Sequence, residues 1–196
     1  MKKILRFFFF VLMLSFHTPL LWSQEMSSHE EPFHAHPSVG LFISHAHVFE
    51  GLDADGDRQA LSLSSWGLDF NYHFHPQWAI GLHTDVIIEK FKVEAQDGET
   101  TEVNYPVAPA LMAIFQPGTH WEFLAGLGLE LTKEEQEVFN RIGLGYIAEL
   151  SPGWEMAAAL TYDLKWEAYD TWVLGLGVVH LFGHQRHDGE SSPPME

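Results

Sequence analysis

The sequence predicts an all-β protein: an eight-stranded antiparallel up-and-down barrel that crosses a membrane. Apolar and polar residues alternate along almost the whole chain beyond residue 36, as in WGLDFNYHF from Trp66 to Phe74, and this period of two is typical of a β-strand. The alternating runs are also 13 to 17 residues long. A tilted membrane-spanning strand needs about 9–11 residues, whereas an average soluble strand has about 5–6.

Eight such runs follow one another along the chain. They cover residues 37–50, 59–75, 78–94, 102–116, 120–132, 137–150, 154–168 and 170–182. Tight turns at 75–77, 116–119 and 151–153 alternate with looser connections at 51–59, 96–99, 133–137 and 168–170. Both ends of the chain therefore fall on the tight-turn side, as an even-stranded meander requires. Eight strands make the smallest usual closed barrel, in which every backbone N–H and C=O is paired within hydrocarbon.

One strand conflicts with this pattern. Pro106 and Pro109 both lie in the fourth run, and each removes a ladder hydrogen bond. We expect a bulge there, or a position for Pro106 above the bilayer.

The two faces of the runs differ in a way that favours lipid outside. One face carries large apolar side chains, such as Trp78, Ile80 and Leu82 of the third run. The other carries eight glycines and nine charged or imidazole groups, which suit a narrow polar lumen better than an exterior exposed to water. The glycines are Gly67, Gly81, Gly126, Gly128, Gly143, Gly145, Gly175 and Gly177.

Aromatic residues gather at the two ends of the runs, with aliphatic residues between them. This arrangement is typical of the girdles where a barrel crosses two membrane–water interfaces. We predict a membrane girdle of Phe74, Trp78, Phe115, Trp121 and Trp154 with Phe182, Trp166 and Trp172, and the sequence also places Phe91 and Tyr105 beside the loose loops.

Segments at both ends of the chain lie outside the predicted barrel. Residues 1–23 have a basic start and a short apolar stretch, which are typical of a signal peptide, with cleavage near Ser23. We predict a mobile periplasmic segment over 24–36, the barrel over 37–183 and a mobile periplasmic tail over 184–196. Both termini are therefore expected in the periplasm, and the barrel in the outer membrane.

Charge and cysteine content exclude several classes of function. The whole chain has ten basic and 27 acidic residues. Removal of the signal peptide, which holds three of the basic residues, leaves seven against 27, a net charge of −20. Such a surface repels nucleic acid, so no nucleic-acid partner is expected. The chain has no cysteine, which excludes disulfides and thiolate metal sites.

These features together resemble the small eight-stranded outer-membrane barrels, a family that includes the OmpA transmembrane domain and OmpX. The final run, WVLGLGVVHLF, partly resembles the family's C-terminal assembly signal: Gly177 and Phe182 match, but His180 replaces a hydrophobic residue. The resemblance implies a monomer surrounded by outer-membrane lipid and inserted by the barrel assembly machinery. Because family members include enzymes, pores and structural proteins, the fold alone does not select a function.

Histidines and aspartates suggest a metal site. His45 and His47 share one face of the first run, and alternation points them outward unless a bulge near Ser44 turns them inward. Asp69 and His83 are predicted to lie nearly opposite each other in the lumen, with Asp85 two residues further along. Imidazoles and carboxylates suit divalent transition metals. No cofactor is otherwise expected.

A salt-bridge network is predicted to plug the lumen. Counting from the turn at 151–153 sets Arg141 near Asp163, with Lys165 and Glu130 close by. A narrow barrel with such a network is not an open pore.

The sequence therefore predicts a barrel with a structural or surface-interaction role, and leaves three further hypotheses open. One is a metal-binding or metal-responsive barrel. Another is a lipid-modifying enzyme, for which the serines near histidines are Ser44, Ser62, Ser64 and Ser65, although none lies in a recognisable motif and an enzyme is the less favoured interpretation. The third is a soluble ligand carrier.

Overall fold

The computed structural model describes residues 33–52, 56–94, 100–132, 136–166 and 169–183. Ten β-strands follow one another in this part of the chain. They are β1 (His36–Leu52), β2 (Arg58–His75), β3 (Trp78–Ile87), β4 (Lys90–Glu94), β5 (Thr100–Asn104), β6 (Val107–Phe115), β7 (Trp121–Leu131), β8 (Gln136–Ser151), β9 (Trp154–Lys165) and β10 (Thr171–Leu181).

Eight of these strands form a closed antiparallel barrel. Each of β1, β2, β3, β6, β7, β8, β9 and β10 pairs with its neighbour in that order, and β10 returns to pair with β1 from Ser38↔Leu181 to Val48↔Thr171. The predicted fold class is therefore confirmed. The long runs of alternating residues form this wall because each strand places one side chain outward and the next inward.

The third and fourth runs were predicted as single strands, and this was wrong. The chain leaves the wall after Ile87 and returns to it at Val107, and the intervening β4 and β5 form a separate hairpin. Tyr105 has a φ of +46°, an uncommon left-handed conformation for a non-glycine residue. Pro106 follows it, between β5 and β6, and its position above the bilayer stays a prediction.

Pro109 stays in β6 and leaves a gap in the ladder. β6 pairs with β7 at Val107↔Leu131 and again from Ala110↔Gly128, with the same register on both sides of the gap. The unchanged register shows that no bulge is present: the β6–β7 ladder skips Ala108 and Pro109, and the proline has no N–H to donate.

The β4–β5 hairpin folds back to the long-loop end of β1. Gly51 pairs with Val93 and Leu52 with Lys92, beyond the point where β1 pairs with β10. The inner face of the hairpin carries Phe91, Val93 and Val103, which are buried. They pack in a cluster with Ala46, Val48, Leu63, Ile87, Tyr169 and Val173. We call this hairpin the cap.

Large apolar side chains face outward from the barrel wall. Leu111 is 68% exposed, whereas its neighbour Ala110 is 1% exposed. Ile43 is 66% exposed and the next residue, Ser44, is 6% exposed. The medium around the wall therefore meets an apolar surface, and this is the arrangement that a membrane barrel needs.

In the described residues, no helix is long and apolar enough to cross a membrane. The predicted signal peptide, most of segment 24–36 and the tail over 184–196 lie outside the described residues. Residues 33–35 precede β1 without regular secondary structure.

Candidate functional site in the barrel lumen

Arg141 occupies the centre of the lumen. It lies on β8 and is 2% exposed. Its Nε and Nη2 donate to the two carboxylate oxygens of Asp163 on β9, both at 2.7 Å, and its Nη1 lies 2.5 Å from Asp85 on β3. The register sets Arg141 opposite Asp163, as the sequence count predicts. The part played by Asp85 was missed, because the sequence does not show that β3 faces β8 across the lumen.

A second ion pair lies next to this layer, on the side of the cap. Lys165 Nζ donates to Glu130 at 2.6 Å, and the Tyr169 hydroxyl donates to the other Glu130 oxygen at 2.5 Å. The Lys165 Nζ also lies 3.3 Å from the centre of the Tyr169 ring. Tyr169 follows β9 outside the strands, and its burial raises its pKa well above the usual 10. These contacts tie the barrel charges to the apolar cluster beneath the cap.

A histidine lies on the other side of Arg141. His83 on β3 is buried, and its Nε2 is 2.9 Å from the Asn71 amide oxygen. Its Nδ1 is 3.3 Å from Asp69 on β2. The adjacent β2 and β3 set Asp69 directly opposite His83. The carboxylate and the amide therefore fix the orientation of the imidazole ring.

Apolar side chains also fill the lumen, which the sequence predicts to be polar. Phe139 is fully buried on β8, where its ring occupies the space that a side chain at Gly128 would need. Phe42 on β1 packs in the same way against Gly177. The inward glycines thus make room for rings. The alternation along β1, from Gly40 through Phe42 to Ser44, was the signal that could have revealed Phe42.

The five residues predicted to bind a metal do not come together. His45 and His47 are exposed on the outer wall, whereas Asp69, His83 and Asp85 face the lumen. No bulge interrupts β1 near Ser44, since its pairing with β2 is regular from His36 to Val48. Within the described ranges, no three histidine, aspartate or glutamate side chains have the geometry to hold a metal ion.

A polar patch lies on the outer wall near the long-loop end. His45 on β1 pairs in register with Ser64 on β2, and His47 with Ser62. The Ser64 N–H donates to the Glu89 carboxylate at 2.8 Å, and this hydrogen bond lowers the pKa of Glu89. The structure thus places a serine, a histidine and a carboxylate close together on the outside of the barrel.

The predicted girdle residues lie at the two ends of the outer wall. Phe74, Trp78, Trp121, Trp154 and Phe182 lie near the short turns and are exposed, and Phe115 between them is partly buried beside Trp78. Trp166 and Trp172 are exposed at the long-loop end. Phe91 is different: the sequence places it with the outer aromatics, but it is buried in the cap. The chain leaves the barrel wall after β3. The alternating side chains of β4 therefore face the interior of the cap or the solvent, and no longer the lumen or the outer wall.

His180, which departs from the family's assembly signal, has a local structural role. Its Nδ1 lies 2.9 Å from the carbonyl oxygen of Gly153, in the turn between β8 and β9. Its ring also packs against Trp154 and Phe182. An imidazole at this position can therefore donate to the turn while keeping the aromatic contacts of the outer wall.

Comparison with known proteins identifies the fold. No family model matches the chain, and no curated protein matches it in sequence. Among solved structures, the chain is similar to Ail, the attachment invasion locus protein of Yersinia pestis, in complex with the heparin analogue sucrose octasulfate. The identity is 13%, the TM-score is 0.52, and the match covers 76% of this chain and 100% of Ail.

The outer membrane protein OprG from Pseudomonas aeruginosa is also similar. It is 16% identical with a TM-score of 0.50, and the match covers 76% of this chain and 95% of OprG. At these identities the likeness concerns the fold. The chain has the fold of the small eight-stranded outer-membrane β-barrels.

Proposed function

We propose that this protein is a non-conducting outer-membrane barrel with a structural or surface-interaction role. The observation that carries the proposal is the series of side chains stacked along the lumen: the Arg141 layer, the Glu130–Lys165 pair and the apolar face of the cap. Ion pairs with good geometry are costly to break when buried. Ions therefore have no wide aqueous path through the barrel.

Conductance in planar lipid bilayers tests this proposal. We expect the purified protein to show no stable channels, because Arg141 joins Asp85 on β3 to Asp163 on β9 across the lumen. Because the Glu130–Lys165 pair and the cap lie in series with the Arg141 layer, Arg141→Ala/Lys165→Ala should raise ion flow more than Arg141→Ala alone. The matched change Lys92→Ala, at an exposed position of the cap, should not raise it. Steady ohmic channels in the wild-type protein would contradict the proposal.

Membrane orientation belongs to the same proposal. We place the short turns and both termini in the periplasm and the long loops outside. The absence of native cysteine allows single-cysteine labelling. A membrane-impermeant maleimide should label Gln59→Cys, at the exposed start of β2, on intact cells. It should label Gly118→Cys, in an open short turn, only after the outer membrane is made permeable. The reverse pattern would invert the orientation.

We do not expect this chain to bind a sulfated ligand such as the sucrose octasulfate in the Ail complex, because acidic residues far outnumber basic ones. Of the seven basic residues beyond the predicted signal peptide, Arg141 and Lys165 are buried in ion pairs. The remaining surface is strongly acidic and repels polyanions. We therefore expect partners that present positive charge, or divalent cations that bridge to them.

The outer patch favours a second candidate, a lipid-modifying enzyme. Ser64, His45 and Glu89 supply a hydroxyl, an imidazole and a carboxylate at the end of the wall where Trp172 also lies. Mass spectrometry of lipid A from cells that express the wild type tests it. A change in mass that Ser64→Ala abolishes, and that the inward-facing control Ser65→Ala retains, would support the enzyme. An unchanged spectrum would eliminate it.

A metal-responsive barrel and a soluble carrier have less support. Metal binding needs ligands that converge, but His45 and His47 lie on the opposite face of the wall from Asp69, His83 and Asp85. A soluble carrier needs an apolar interior and a polar exterior, whereas large apolar side chains are among the most exposed residues of the wall.

A further inference from the structure

A cavity of about 60 Å³ lies in the half of the lumen that faces the short turns. Its lining extends from His73 and Glu155, near the short-turn end of the wall, to Arg141 at the centre. One water molecule needs about 10–15 Å³ of such space, so the cavity has room for several waters or for one slim chain. The proposed structural role makes no use of this space.

The cavity is lined by four carboxyl groups and one guanidinium group. Arg141 is engaged by Asp85 and Asp163. Glu122 on β7 and Glu155 on β9 also line the cavity, and they are close enough to repel each other. Within the described part of the chain, neither forms a hydrogen bond or an ion pair. A buried carboxyl group without a counter-charge favours its neutral form, and a cation placed between Glu122 and Glu155 would stabilise their ionised forms.

Two buried hydroxyl groups point to the same conclusion independently. Ser44 is 6% exposed and Thr161 is 8% exposed, and both line the cavity. Neither hydroxyl has a hydrogen-bond partner among the described residues. Since both residues line the cavity, water or a bound ligand there can supply the hydrogen-bond partner of each hydroxyl. These two are therefore available to accept hydrogen bonds from a bound donor.

The shape of the site favours an organic cation over a metal ion. No three metal-ligating side chains converge in the described ranges, so the carboxylates are too dispersed to share one ion. The walls between them are apolar, with Phe42, Leu124 and Ile147 lining the cavity. A thin ligand with separated positive groups joined by a hydrocarbon chain matches both features and the narrow space.

We propose that this cavity binds an aliphatic polyamine, with one ammonium group between Glu122 and Glu155 and another toward Asp69. The hydrocarbon segment packs against Phe42 and Ile147. Each terminal ammonium group offers three donors and no acceptor, which suits carboxylates and the hydroxyl groups in the wall. The inference concerns binding, and does not depend on whether the barrel conducts ions.

Calorimetric titration of the purified full-length barrel with spermidine and with putrescine tests this inference. We expect saturable binding with a stoichiometry near one. Glu122→Gln and Glu155→Gln should each weaken it at least tenfold. Glu102→Gln is the matched control, because Glu102 is an exposed glutamate on β5 of the cap and its loss should leave the affinity unchanged. Circular dichroism and heat-dependent gel mobility verify that each variant folds.

Measurements on the wild type keep the inference falsifiable if a variant fails to fold. Replacement of putrescine by 1,4-butanediol, which has the same carbon chain but no charge, should abolish binding. Magnesium ions at equal concentration should not displace spermidine. The inference is overturned if the amines give no saturable binding, if the diol binds equally well, if magnesium ions displace spermidine, or if affinity survives in the Glu122→Gln/Glu155→Gln double variant.

Discussion

The two ends of the lumen differ in how their buried carboxyl groups are paired. Toward the long loops, Glu130 is paired with both Lys165 and Tyr169, and the apolar cap packs above them. Toward the short turns, Glu122 and Glu155 line a cavity without a hydrogen bond or an ion pair among the described residues. The same alternating strands build both ends. The alternation of residues along each strand determines which side chains enter the lumen. Whether those side chains form hydrogen bonds or ion pairs there determines whether they stabilise the barrel or can bind a ligand.

Removal of Arg141 should have the largest effect on this arrangement. Arg141→Met leaves Asp85 and Asp163 buried without a counter-charge, which costs about 3–5 kcal/mol. Urea titration in detergent micelles, followed by tryptophan fluorescence, measures the loss. The exposed Lys92→Met should stay within about 0.5 kcal/mol of the wild type. If Arg141→Met lowers the free energy of unfolding by less than about 1 kcal/mol, the ion pairs of Arg141 do not stabilise the barrel between the two ends of the lumen.

A change in the cap should affect one end alone. Phe91→Ala removes a buried ring and is expected to destabilise the cap by about 3 kcal/mol. Since each 1.4 kcal/mol is a factor of ten, amide hydrogen exchange in β4 and β5 should accelerate about 100-fold, while exchange in β7 stays slow. The outward-facing Phe49→Ala serves as the control. Equal acceleration in β7 would show that the cap is not an independent unit.

The smallest effect concerns the tyrosine between the cap and the ion pairs. Tyr169→Phe removes one hydrogen bond to a charged group and should cost about 1.5 kcal/mol. Burial and the nearby Glu130 raise the pKa of Tyr169 well above 10. Its contribution is therefore fully present below pH 10 and is lost as the pH rises through the folded-state value. The difference in tyrosinate absorbance between wild type and variant should appear only well above pH 10. A difference near pH 10 would indicate an exposed hydroxyl.

The wall of the barrel could be predicted from the sequence because its signal is repeated eight times. Alternation assigns each residue to a face, and the tight turns at Pro76, Pro117 and Pro152 set where each hairpin begins. The contact of Arg141 with Asp163 follows from counting along one such hairpin. The outward position of the two histidines of β1 also follows from regular alternation, without the bulge that the sequence left open.

The cap and the cavity could not be predicted in the same way. KFKVE in β4 alternates as a wall strand does. The alternating pattern therefore gives no sign that the chain leaves the barrel wall after β3 and enters the cap. The local signals for this departure were Tyr105 and Pro106. Proline disfavours helix and cannot donate a hydrogen bond to a neighbouring strand, but it does not specify a hairpin. Contacts across the lumen, such as Arg141 with Asp85, depend on barrel closure and tilt, which a strand-by-strand count does not contain.

Spin labels at two adjacent residues of β1 test the central claim, that the apolar face of every wall strand meets lipid while the opposite face lines the lumen. Ile43→Cys is predicted to give a label accessible to molecular oxygen and protected from a water-soluble nickel chelate in lipid vesicles. Ser44→Cys, one residue further, should show lower oxygen accessibility than Ile43→Cys, because it lies against the cavity. If the label at position 43 collides with the nickel chelate and not with oxygen, the outward face is in water, and the assignment of this chain to a membrane fails.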